Sequence, residues 1–213
     1  MKIQSFTFNP FQENTYVVSG ETGSAIIIDP GCYDRSEQQV LKDYIAQEGL
    51  TVKGLWNTHC HIDHVLGNAF VAETWNVPLF AHKEELFTLS MARRSADMYG
   101  MEAYIDSPEP TIFVEDNQVL EVDDLKFKVI FGPGHCVGHV AFYCEEENVL
   151  LGGDILFRGS FGRTDLPGGD METLKKTIFE RIFTLPENTV VYSGHGPATT
   201  IGEEKTTNYI LQF

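Results

Sequence analysis

Short apolar runs, each closed by Gly, Pro or Asn, follow one another along the whole chain. Ile3–Phe8, Thr15–Ser19 and Ala25–Asp29 are rich in β-branched and aromatic residues, which predicts an opening antiparallel meander. Asn9-Pro10 and the stretch from Gly20 to Gly23 supply its turns. Ser36–Glu48 reads as a helix. Val40, Leu41, Tyr44 and Ile45 form one apolar face, Ser36 and Gln39 offer a capping box, and Gly49 ends it. Val52–Asn57 is predicted as a short buried strand, Asn68–Asn76 as a helix, Pro78–Ala81 as extended, and Lys83 to Tyr99 as a further helix. Gly100–Asn117, with Pro108 and Pro110, has no period and is expected as a surface loop over a site. Gln118–Val122, Lys126–Phe131, Val140–Cys144 and Val149–Gly152 read as strands. Asp170 is placed to cap a helix whose Leu174, Ile178 and Ile182 fall at i, i+4 and i+8 before Pro186. Thr189–Ser193 is a last strand, and a short helix with an acidic start closes the chain. Helices interrupt the strands, so the pattern predicts an α/β (α+β) layered domain with sheets at its centre.

Length and charge narrow this picture. The chain has 213 residues, enough for one domain over 1–213 with a core that needs no staples. Fifteen Lys and Arg against 31 Asp and Glu give a net charge of −16, which argues against a nucleic-acid partner. Anionic substrates stay possible, because bound metal ions reverse a local field. No apolar run approaches a membrane span, and the N-terminal stretch has no signal-peptide core, so a cytoplasmic protein is expected. Cys32, Cys60, Cys136 and Cys144 form no C-x-x-C pair and are read as reduced thiols rather than zinc-finger ligands.

The histidines carry the chemistry. Thr58-His59-Cys60-His61-Ile62-Asp63-His64 follows one predicted strand, and Gly134-His135, Gly153-Asp154 and Gly194-His195 follow three others. Loops at strand ends are where sheet folds place sites, and glycines there let the backbone turn sharply. His59 and His61, at i and i+2, share a side of an extended segment. His59, His61, Asp63, His64, His135, Asp154 and His195 make seven candidate ligands, too many for one tetrahedral ion. They fit two metals with one carboxylate bridging, and imidazole with carboxylate suits Zn, Fe or Mn. His139 is expected to support the site, His82 to pack or cap, and Cys60 to point away from the ligands beside it.

These motifs resemble the metallo-β-lactamase superfamily, and within it the glyoxalase II (hydroxyacylglutathione hydrolase) branch. Asp29-Pro30-Gly31 and the stretch from Gly152 to Asp165 add to the likeness. The resemblance implies a four-layer αββα sandwich with the site at one edge between the sheets. It implies one metal on His59, His61 and His135, a second on Asp63, His64 and His195, and Asp154 bridging. It implies two divalent transition metals, Zn first, and hydrolysis of a small-molecule thioester such as S-lactoylglutathione by a metal-bound hydroxide. In that scheme Asp63 both ligates and orients the hydroxide. Arg158 and Arg163, just past Asp154, are candidates to pair substrate carboxylates, or else form ion pairs with Asp165 or Asp170. Cys136 stands where the family often has Thr, so a hydroxyl hydrogen bond is expected to be lost. The chain runs only 18 residues past His195, without the helical segment that helps glyoxalase II hold glutathione, so weak glutathione specificity is expected. The alternative within the superfamily is a mononuclear non-haem iron persulfide dioxygenase using His59, His135 and Asp154.

Overall fold

A computed structural model describes residues 1–213. Strands β1 (Lys2–Phe8), β2 (Glu13–Ser19), β3 (Ser24–Ile28), β4 (Thr51–Trp56), β5 (Leu79–His82) and β6 (Ile112–Val114) form one sheet in that spatial order. Its first three strands pair antiparallel, and β3 to β6 run parallel. The second sheet contains β7 (Val119–Val122), β8 (Leu125–Phe131), β9 (Val140–Cys144), β10 (Val149–Gly153), β13 (Val190–Ser193) and β14 (Thr199–Thr200). A small hairpin of β11 (Leu156–Phe157) and β12 (Ser160–Phe161) follows β10. The helices are α1 (Arg35–Gln47), α2 (Ile62–Val65), α3 (Asn68–Trp75), α4 (Glu85–Ser90), α5 (Ala92–Met98), α6 (Met171–Thr177) and α7 (Ile201–Thr207).

Side-chain alternation along the strands explains the layers. Val18, Ile26, Ile28 and Trp56 of the first sheet pack against Phe127, Val129, Phe142 and Leu151 of the second. Their neighbours Val17, Ile27 and Leu55 face the opposite way, onto Leu41 and Ile45 of α1 and Val71 of α3. In the second sheet Ile130, Ala141, Leu150 and Val191 turn outward onto Leu174, Ile178 and Ile182. Strands buried on both faces read as near-continuous apolar runs, as β3 does, whereas β2 is buried throughout but carries polar Glu13, Asn14 and Thr15 at its start. The result is the expected helix–sheet–sheet–helix order, and the parallel strand ends of both sheets open on one edge.

Several elements differ from the sequence reading. Asp34, not Ser36, caps α1: its carboxylate accepts from the backbone N–H of Ser36 at 2.8 Å and Glu37 at 3.0 Å. Gln39 instead reaches Asp43. The helix expected from Lys83 to Tyr99 breaks at Met91, where Ser90 Oγ turns back onto the Phe87 carbonyl at 2.7 Å. Asp170 does cap α6, but after Thr177 the chain widens into one π turn over Ile178–Ile182. The Gly100–Asn117 stretch hides the edge strand β6, and none of it lines the cavity described below. All four cysteines are free and buried. No helix is long and apolar enough to cross a membrane.

Candidate metal centre

Four strand ends converge at the open edge. β4 leads into His59 and His61, and α2 then carries Asp63 and His64. The turn after β8 carries His135, the end of β10 leads to Asp154, and the end of β13 leads to His195. Donor atoms of His59, His61 and His135 lie within 4.8 Å of one another, and so do those of Asp63, His64 and His195. Asp154 stands between the two groups. Its Oδ1 is 3.5 Å from His64 Nε2, and its Oδ2 is 3.6 Å from both His135 Nε2 and His195 Nε2. Asp63 Oδ2 is 3.1 Å from His195 Nε2 and 3.6 Å from His64 Nε2. All seven residues picked from the sequence are therefore brought together.

Neighbouring groups aim the rings. Asp29 accepts from the Thr58 hydroxyl at 2.5 Å, so that hydroxyl accepts from His59 Nδ1 at 3.1 Å, and His59 Nε2 is turned inward. His135 Nδ1 donates to the Arg163 carbonyl at 2.7 Å, which leaves its Nε2 lone pair for the site. Asp29 Oδ2 is also 3.2 Å from His64 Nδ1. A third set of donors, Asp29, His59 and His64, thus lies close together, but Asp29 is occupied with the backbone N–H and hydroxyl of Thr58. His139 supports rather than joins the groups: it stacks on His59 at 4.7 Å and its Nε2 accepts the Asp154 N–H at 3.0 Å. Asn14 fixes the His195 loop through the carbonyls of Ser193 and Gly196. Gly153, with φ +51°, makes the sharp turn into Asp154, and at Gly194 a Cβ would collide with Asp154 Oδ1 and His64 Cε1.

The two halves differ electrostatically. Burial and neighbouring imidazoles keep His59 well below its ordinary pKa and push His61 down to about 3; burial also lowers His135. These three rings are neutral nitrogen donors. Burial opposes the charge of His64 and His195, but Asp63 and Asp154 outweigh it and raise both. Burial likewise pushes the Asp154 and Asp63 carboxyls up, and the surrounding histidines more than reverse this. His59 Nε2, His64 Nε2 and Asp154 Oδ1 are buried without a hydrogen-bond partner. Orphaned buried donors and acceptors of metal-ligand type, converging on one place, fit transition ions.

The site floors a cavity of about 670 Å³ lined by His61, Asp63, His135, Asp154 and His195. Phe11, Met91, Met98, Tyr99 and Phe157 form apolar walls, and Arg94 and Arg163 reach it as cations. Arg163 is bound at both ends by Asp165, at 2.6 and 2.7 Å, as the structural alternative had it. Arg158 does not line the cavity; it extends along the surface to Glu203 at 3.4 Å. Arg94, which the sequence did not single out, makes no ion pair. Cys60 packs among Ile62, Val65 and Ala92, and His82 accepts the Glu84 N–H while packing on Phe131, both as expected. Cys136 has no hydroxyl to offer, but its thiol donates to Glu85 Oε1 at 3.1 Å. Glu85 and the fully buried Glu13, whose Oε1 sits 3.9 Å from His64 Nδ1, carried no signal of their role, and Asp29 entered only through the Asp29-Pro30-Gly31 turn of the resemblance. Each is distant in sequence from the residues it serves.

Known proteins resemble this chain in sequence and fold. The hydroxyacylglutathione hydrolase GloC of Haemophilus influenzae is 34% identical over 217 residues, covering 99% of this chain and 98% of GloC. The crystal structure of the BLEG-1 B3 metallo-beta-lactamase superposes with a TM-score of 0.90 at 34% identity, covering 100% of both chains. The di-iron-bound form of TTHA1623 gives 0.86 at 37% identity, covering 97% of this chain and 98% of its own. The family model described as the Metallo-beta-lactamase superfamily matches residues 8–195. That match runs from the end of β1 to the last of the seven donors, and the chain belongs to the metallo-beta-lactamase superfamily of metallo-hydrolases.

Proposed function

We propose that this protein is a two-metal hydrolase of thioesters, with S-lactoylglutathione as a representative substrate. The observation that carries this reading is that two complete donor groups share one carboxylate, Asp154, at the floor of a single cavity. His59, His61 and His135 would hold one divalent ion and Asp63, His64 and His195 the other. Zinc suits this donor set, and iron and manganese fit it too. Such ions supply a nucleophilic oxygen from water near neutral pH and a Lewis acid for the acyl oxygen.

The chain's own groups do the rest. Asp63 presents a carboxylate at the cavity floor and orients the attacking water toward the acyl carbon. The apolar walls of Phe11, Met91, Met98 and Tyr99 hold the acylated thiol and exclude bulk water. The leaving thiolate is a weak base, so the site needs no strong general acid. Arg94, unpaired at the cavity, is free to meet a carboxylate on the thiol carrier. The name of the related GloC supports thioester hydrolysis. A single-iron dioxygenase on His59, His135 and Asp154 would leave Asp63, His64 and His195 without a task.

Oxygen-electrode and thiol-release measurements on the same iron-loaded protein test the reading. Thioester hydrolysis without O₂ uptake is expected, falling at least about tenfold in His64→Ala or His195→Ala. Fast O₂ uptake with glutathione persulfide, retained in His64→Ala and with no thioesterase activity, would replace the hydrolase with the dioxygenase.

A further inference from the structure

Glu85 opens α4 and is fully buried. No lysine or arginine pairs with it. Its Oε2 accepts the backbone N–H of Cys60 at 2.6 Å, and its Oε1 accepts the backbone N–H of Gly138 at 2.9 Å and the thiol of Cys136 at 3.1 Å. Cys60 lies between His59 and His61, Cys136 follows His135, and Gly138 precedes His139. One carboxylate therefore clasps the two loops that carry the three neutral imidazoles. The fit is close: a Cβ at position 138 would lie 2.6 Å from the Glu85 nitrogen and 2.9 Å from Glu85 Oε1.

We propose that Glu85 is a positioning residue that sets the distance between the His59–His61 loop and the His135 loop, and so the affinity of the three-imidazole site for its ion. The proposal rests on the two-metal reading above. A carboxylate accepts at both oxygens, and charge-assisted bonds to N–H groups are short and directional. That gives each loop its own anchor on one rigid planar group. Partners that orient ligands commonly change metal affinity by about 10–100-fold when removed.

Glu85→Gln keeps the volume but turns an NH₂ donor toward one of the loop N–H groups, so one anchor is lost. Chelator competition with zinc and the absorption spectrum of cobalt-loaded protein read the result. Wild type is expected to bind two ions; fewer would remove the two-metal reading and this proposal with it. In Glu85→Gln one ion is expected to weaken by about 10–100-fold with an altered cobalt spectrum, while the other is unchanged. Gly138→Ala pushes the same loop off the carboxylate, should weaken the same ion, and is read in the same way if Glu85→Gln does not fold. Glu204 is an internal control. It is equally buried and accepts from Gly159, Thr199 and Asn208, away from the ligands. Glu204→Gln should lower the melting temperature and leave both affinities intact. A folded Glu85→Gln or Gly138→Ala protein with wild-type affinities and cobalt spectrum would overturn the proposal, as would an equal loss in Glu204→Gln.

Discussion

Asp154 is the residue on which the two donor groups depend. Its oxygens face opposite ways, one toward His64 and the other toward His135 and His195. Asp154→Ala is therefore expected to reduce the metal content from two ions toward none after dialysis, measured by elemental analysis. Two tightly bound ions in that variant would refute the bridging assignment. A second residue links stability to pH. Asp116 accepts from the Phe131 N–H at 2.9 Å and from Arg181 at 2.7 Å. Burial pushes its carboxyl up, but Arg181 and the backbone bond hold it below the ordinary 3.8. A carboxyl depressed in the folded state adds stability above its unfolded pKa and loses it as pH falls through the folded one. The urea midpoint of Asp116→Asn should thus lie below wild type at pH 7, with the gap closing below about pH 4. A gap that widens in acid would reverse the assignment. Ligands were legible at this scale because histidines and aspartates crowd into six residues and recur after strand ends. Glu85 was not, because it is one of 31 acidic residues and acts on groups distant in sequence; Asp29 was visible as part of a turn but not in its role toward Thr58 and His64, for the same reason.

Elements were legible where their period was long. The meander, α1 and the strands that lead to the ligands followed from apolar runs and turn residues. What was missed is short or set by competition. β6, β14 and the β11–β12 hairpin have three residues or fewer per strand, too few to show alternation. The cap of α1 was misplaced because Ser36 and Asp34 are both good caps. The charged carboxylate wins by accepting two backbone N–H groups, and it takes the Ser36 hydroxyl as well. Asp34→Ala is expected to cost about 1 kcal/mol in urea unfolding, whereas Ser36→Ala should cost markedly less. Equal losses, or a larger loss at Ser36, would restore the capping box.

Across the whole molecule the two sheets act as a frame. Trp56, Phe127 and Phe142 lock them face to face, so ligands from four strand ends meet at one edge. The apolar runs made central sheets with interrupting helices legible, while the four-layer order came only through the superfamily resemblance. The cavity walls were not, because Phe11, Met91, Met98 and Tyr99 come from a loop and from the broken α4–α5 segment, which sequence spacing presents as one helix. With a net charge of −16, the protein would repel anionic thioesters at long range, so binding rests on the cavity and the ions at its floor. The most direct measurement is thiol release from S-lactoylglutathione, without oxygen, by protein reconstituted with two zinc ions per chain. Hydrolysis should require zinc, disappear on chelation, return on adding zinc back, and rise with pH before flattening. Fully zinc-loaded protein that leaves thioesters intact, while opening a β-lactam or working only with iron, O₂ and a persulfide, would contradict the account.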